Sequence, residues 1–163
     1  MRFCLLVGLI LSFCIGCSSP PSEESLSNDF RKNRPSLEKL VSMLEADDAL
    51  LRITSDSVTV RTQSRGSPIG DDAARAVGIG DERLRAYRDL LQKASIQTVA
   101  KTAEGAVLFY VATGGIAVSG WVAGYAYSRT ELKPVVKSLA EVPSRGFVYK
   151  KVENGWYMMK ASV

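Results

Sequence analysis

The chain contains no histidine, and its three cysteines, Cys4, Cys14 and Cys17, all fall within the first 17 residues. Beyond residue 17 there is no thiol to form a disulfide, to hold a metal as thiolate or to act as a nucleophile. Together these absences exclude Ser-His-Asp and Cys-His triads, the common zinc sites and histidine acid–base chemistry. Carboxylate, lysine, tyrosine or Ser-Lys mechanisms remain, and an enzyme is not expected. A block of like charge is also missing. The 21 basic and 17 acidic residues are interspersed, the formal net charge is +4, and such a surface offers no footprint for nucleic acid. No cofactor or metal site is expected: Gly78 and Gly80 give only G-x-G, without the preceding strand or third glycine of a nucleotide loop. The adjacent carboxylates Asp47-Asp48 and Asp71-Asp72 fit caps and loops, since a catalytic pair needs a defined separation in space.

What is present begins with MRFCLLVGLILSFCIGC. Arg2 precedes an uncharged apolar run from Phe3 to Ile15, and Gly16 precedes Cys17. A basic start, an apolar stretch of this length and a small residue at the cut describe a secretory signal peptide. The run is short for a spanning helix, which needs about 20 apolar residues. Cys14-Ile15-Gly16-Cys17 resembles the lipobox of bacterial lipoproteins, with Cys14 standing where leucine is usual. The resemblance covers the first ~20 residues and implies cleavage before Cys17, with a diacylglyceryl group on that cysteine and a third acyl chain on its amine. Anchors with more than one chain hold firmly to membranes. Ser18 resembles the residue found after the cysteine in lipoproteins sorted to the outer membrane, which implies a domain facing the periplasm.

The expected organisation is a signal peptide at 1–16, lipidated Cys17 with a flexible linker to residue 34, and one domain over 35–163. Residues 18–34 are polar, contain Pro20-Pro21 and lack apolar periodicity, so they are expected to hold the domain tens of ångströms from the lipid. A first helix is expected after Pro35, capped by Ser36, with Leu37, Leu40, Val41 and Leu44 as its buried stripe. Alternation at Leu51/Ile53 and Val58/Val60 predicts one or two short strands. Residues 63–80 are mainly loop, with a helical turn at Asp72–Ala76. A second helix runs from a cap at Asp81 to about Ala94, burying Leu84, Tyr87, Leu91 and Ala94.

Residues 105–128 carry no charge. Their length, with Gly120-x-x-x-Gly124, also fits a membrane helix, but five glycines and the β-branched and aromatic content favour strands. Gly114-Gly115 then serves as a hairpin turn, and Gly120 and Gly124 mark a bulge or close backbone approach. Residues 130–139 are expected to form a short helix or turn. Asn154-Gly155 predicts a final hairpin. The sum is an α+β domain: an antiparallel sheet of about five strands with two main helices on one face.

Trp121, Tyr125, Tyr127, Tyr149, Trp156 and Tyr157 form the candidate interaction surface, because tyrosine and tryptophan are enriched at hot spots. The same residues equally suit a sheet core and cross-strand pairs. Residues 78–91 (GIGDERLRAYRDLL), 123–128 (AGYAYS) and 153–159 (ENGWYMM) are similar to stretches of small bacterial proteins, a likeness that implies no activity. The function expected is binding of another envelope component by a lipid-anchored domain. An inhibitor or immunity factor acting on a toxin or cell-wall hydrolase is a second form of that reading. A carboxylate-dependent hydrolase of envelope glycan or lipid is the alternative from another class.

Overall fold

The computed structural model describes residues 19–61, 68–116, 119–141 and 145–162, with Ile116 and Ser119 described by backbone alone. Cys17 and the signal-peptide features lie outside the described residues. Helix α1 spans Glu23–Ala46, followed by strands β1 (Leu50–Thr54) and β2 (Val58–Val60). Helices α2 (Asp71–Ala76) and α3 (Asp81–Lys93) come next, then β3 (Thr98–Lys101), β4 (Val107–Ile116), β5 (Ser119–Tyr127), β6 (Gly146–Glu153) and β7 (Trp156–Ser162). The strands form one antiparallel sheet of order β2-β1-β3-β4-β5-β7-β6. The α+β class holds, but the described sheet has seven strands rather than five.

The largest correction concerns residues 23–34, expected as linker. They are the first half of α1. Ser22 is its N-cap, with its hydroxyl accepting from the Ser25 amide at 3.1 Å, and Glu23 and Glu24 complement the positive helix end. Leu26 and Phe30 are buried and continue the stripe of Leu37, Leu40, Val41 and Leu44. Pro35 lies inside the helix on an exposed position. An interior proline costs about 3 kcal/mol, which two buried side chains at about 1.5–3 kcal/mol each offset. Phe30 sits 5.4 Å from both the Tyr125 and Trp156 rings, and the Tyr125 hydroxyl donates to the Leu26 carbonyl at 3.0 Å.

Helix α3 matches its expected span and buries Leu84, Tyr87, Leu91 and Ala94, but Gly80 is its N-cap and Asp81 its first helical residue. Both long helices pack in one core with Val99, Phe109, Ala123, Tyr125, Trp156 and Met158 from a single face of the sheet. A smaller cluster of Leu108, Ala126, Tyr149, Tyr157 and Met159 occupies the opposite face, with Leu132 from the β5–β6 connection packed against it.

The uncharged stretch holds β4 (Val107–Ile116) and β5 (Ser119–Tyr127), and no helix among the described residues is long and apolar enough to cross a membrane. Gly114-Gly115 is not the turn. Pairing continues through Gly114↔Trp121 and Gly115↔Gly120 to Ile116↔Ser119. The Trp121 ring explains the glycine at 114, since a Cβ there would stand 2.5 Å from its Cζ2. Gly124 is the close approach expected. It faces the β4 bulge between Tyr110 and Ala112, and a Cβ would lie 1.9 Å from the Phe109 carbonyl oxygen.

The Asn154-Gly155 turn joins β6 to β7 as the sequence predicts, with Gly155 at φ 74°. Residues 130–139 form no helix. Instead residues 134–136 run along β6, where the Tyr149 amide donates to the Pro134 carbonyl (3.0 Å) and the Val136 amide to the Tyr149 carbonyl (2.8 Å). Residues 68–70 close the other edge in the same manner. The Val60 amide donates to the Pro68 carbonyl (3.2 Å) and the Gly70 amide to the Val58 carbonyl (2.8 Å).

Candidate functional site

The six aromatic residues expected as an interaction surface are not gathered on one face. Tyr125, Tyr149, Trp156 and Tyr157 are buried, with Trp121 and Tyr127 half-buried. They divide between the two faces of the sheet: Tyr125, Trp156, Trp121 and Tyr127 face the helices, whereas Tyr149 and Tyr157 belong to the opposite cluster. Aromatic side chains bury large areas, and here that burial builds the cores.

The site with character is a groove along the second half of α1. Its first depression, about 330 Å³, has Val41, Trp156 and Tyr127 as an apolar lining and Arg34, Glu38, Ser42, Glu45 and Asn154 as its polar part. The helix repeat puts Arg34, Glu38, Ser42 and Glu45 on one stripe, and the β6–β7 turn supplies Asn154 opposite. Arg34 donates through Nε to Glu38 at 2.8 Å and also pairs with Glu153. A second depression, also about 330 Å³, is lined by Leu44, Glu45, Asp48, Lys101, Gly105, Val107 and Arg129. The two meet at Glu45, which accepts from Arg129 Nη2 at 2.8 Å. Lys101 forms the floor of the second depression: its ammonium donates to the Leu44 carbonyl (3.2 Å), the Asp48 carbonyl (3.2 Å) and the Asp48 carboxylate (3.0 Å). A cation at this end of a helix also complements its negative pole.

Adjacent carboxylates in the sequence are sent apart by the fold. Asp47 accepts from Arg83 Nε and the Tyr87 hydroxyl, both at 2.8 Å, and latches α1 to α3. Burial first, and then Asp47, push the Tyr87 phenol well above its ordinary value. Asp48 turns to Lys101. Asp71 takes a two-pronged bond from Arg88 at 3.0 and 2.7 Å, while Asp72 pairs with Arg75. Among the described residues no three potential metal ligands cluster.

Three carboxylates are held below the usual carboxylate range: Glu23 by its bonds to Lys150 and the Leu139 amide, Asp48 by Lys101, and Asp71 by Arg88. Depressed carboxylates stabilise the fold at pH values above their unfolded pKa of about 4, and that contribution is lost as pH falls through the folded value. Thermal unfolding should therefore be level from about pH 5 to 8 and decline below about pH 4.5. Asp71→Asn should cost about 1 kcal/mol at neutral pH, given the partial exposure of the pair, and much less at pH 3. An equal loss at both pH values would show that the Asp71–Arg88 pair is not responsible.

The α1 groove escaped the sequence reading because its parts come from residues 34–48, 101–107, 127–129 and 153–156. Only the Arg34/Glu38/Ser42/Glu45 spacing is local, and it falls partly on residues expected as linker. Comparisons with family models, with curated proteins and with solved structures each found no match to this chain.

Proposed function

We propose that this chain is a lipid-anchored envelope protein whose domain binds a polypeptide partner along the α1 groove. The anchor rests on the Cys14–Cys17 motif, and the binding role is carried by one observation: two depressions joined at Glu45. They set Arg34, Glu38, Glu45, Asp48 and Arg129 around apolar ground. Both signs are present along that path, with acids at Glu38, Glu45 and Asp48 between Arg34 and Arg129, so the partner that fits is a segment carrying both charges around a few apolar side chains. Charge complementarity of this kind governs which partner docks and how fast. The hydrolase alternative draws less support. A general acid needs a carboxyl whose pKa is raised, whereas Glu23, Asp48 and Asp71 are shifted the opposite way and the groove glutamates Glu38 and Glu45 are each engaged by an arginine.

A photo-crosslinking side chain at Ser42, inside the groove, tests this reading against one at exposed Asp72 on α2. In membranes, position 42 should give a discrete protein adduct that Glu45→Arg suppresses, and position 72 should not. The same adducts from both positions, or adducts indifferent to Glu45→Arg, would refute the groove. Mass spectrometry of Cys17 tests the anchor separately.

A further inference from the structure

The chain is fastened to the body of the domain much nearer to Cys17 than a flexible linker would allow. Pro20, Pro21, Ser22 and Glu23 line a depression of about 230 Å³ together with Ser138, Leu139, Ala140 and Lys160. Glu23 secures it, accepting from the Leu139 amide at 3.1 Å and pairing with Lys150. Only Ser18 and Ser19 separate Cys17 from Pro20, and an extended chain covers at most about 3.6 Å for each of the three steps between them. Chain length alone therefore limits the distance between the anchoring cysteine and the docked segment to about 11 Å.

The surface beside that point has the composition of a membrane contact. Val135 is 45% exposed and, with Ile69, is one of two large apolar side chains so displayed among the described residues. Lys133 and Lys137, both exposed, flank it. The neighbouring acidic groups are Glu24, Glu131 and Glu141, with Glu23 paired to Lys150, and against them stand Lys133, Lys137 and Arg145, with Lys160 alongside. Lys133, Lys137 and Lys160 make no ion pair among the described residues. The hydrogen bonds from residues 134–136 to β6 hold the Lys-Pro-Val-Val-Lys stretch in place.

From these observations we infer that the face built by residues 20–22, residues 133–140 and Lys160 rests directly on an anionic phospholipid bilayer. Val135 meets the headgroup boundary between two lysines, and the lysines neutralise lipid phosphates. This rests on the anchored reading above and adds to it a fixed orientation: the domain sits against the membrane on the β6 edge of its sheet. The α1 groove begins at Arg34, about 17 Å along the helix from Glu23.

The test uses the mature lipidated protein in vesicles of phosphatidylcholine and phosphatidylglycerol that carry a spin-labelled quencher lipid. A fluorophore is attached to a cysteine introduced as Lys137→Cys or as Asp72→Cys. Asp72 belongs to α2, which packs on β2 at the far edge of the sheet, six strand spacings or about 29 Å from β6. Quenching should be several-fold stronger at 137 than at 72, and Val135→Asp should reduce it at 137 while leaving the circular dichroism spectrum unchanged. Equal quenching at the two positions, with the lipid mass present on Cys17, overturns the docked orientation and leaves the anchor standing. No lipid mass on Cys17 removes the anchor and the orientation with it.

Discussion

Phe30→Ala should destabilise the protein by about 3–5 kcal/mol, the range for truncating a buried aromatic side chain, and lower the melting temperature by on the order of 10 °C. The ring fills the space between α1 and the sheet and meets Tyr125 and Trp156 at 5.4 Å each. Removing it leaves a void bounded by β5 and β7, whose strands are fixed by pairing on both sides and have little room to collapse. Arg31→Ala, one residue on at an exposed position, should stay within about 0.5 kcal/mol. The contrast decides whether residues 23–34 are linker or core, because a linker would tolerate both changes alike. For the same reason a chain starting at residue 35 should fail to fold cooperatively: it lacks Leu26, Phe30, the acceptor for the Tyr125 hydroxyl and the Glu23 contact with β6. Denaturant titration followed by tryptophan fluorescence measures all three.

Gly124→Val should be comparably damaging, at about 3 kcal/mol or more, near or above the upper end for overpacking. The obstacle is backbone, not a side chain that can rotate away. A Cβ would stand 1.9 Å from the Phe109 carbonyl oxygen and 3.0 Å from the Val111 amide nitrogen. Relief requires β4 to move at its bulge, and β4 is tied to β3 as well as β5. The appropriate comparison is Gly80→Ser. Position 80 has nothing within 4 Å of an added Cβ and serves as the α3 N-cap with extended backbone, where serine replaces glycine within a few tenths of a kcal/mol. Wild-type stability in Gly124→Val would mean that the bulge does not press on β5.

How far the sequence anticipates this fold depends on whether a signal is local. The Asn154-Gly155 hairpin and the α3 stripe are settled by neighbours within a few residues, and both stand as expected. Helix α1 was anticipated only from Ser36, because proline is a strong local stop signal. The burial that overrules Pro35 comes from strands far along the chain, β5 at Ser119–Tyr127 and β7 at Trp156–Ser162. Strand β3 has only four residues, and its identity lies in pairing with β1 and β4. Gly114-Gly115 has the composition of a turn, yet its glycines answer to a tryptophan ring on the next strand. The aromatic residues were visible as a group, but composition does not say which side of a sheet each takes. The groove was least legible, since four separate stretches of chain assemble it.

The two loop segments along the sheet have a further consequence. The lipid tether proposed above would confine molecules to a plane, where neighbours collide at effective concentrations far above those in solution. An open strand edge under such confinement is a template for pairing with the next copy and for growth into aggregates. Here residues 68–70 take the Val58 carbonyl and the Val60 amide of β2, and residues 134–136 take the amide and carbonyl of Tyr149 midway along β6. These short clasps interrupt both edges at places where the strand of a second copy would have to pair.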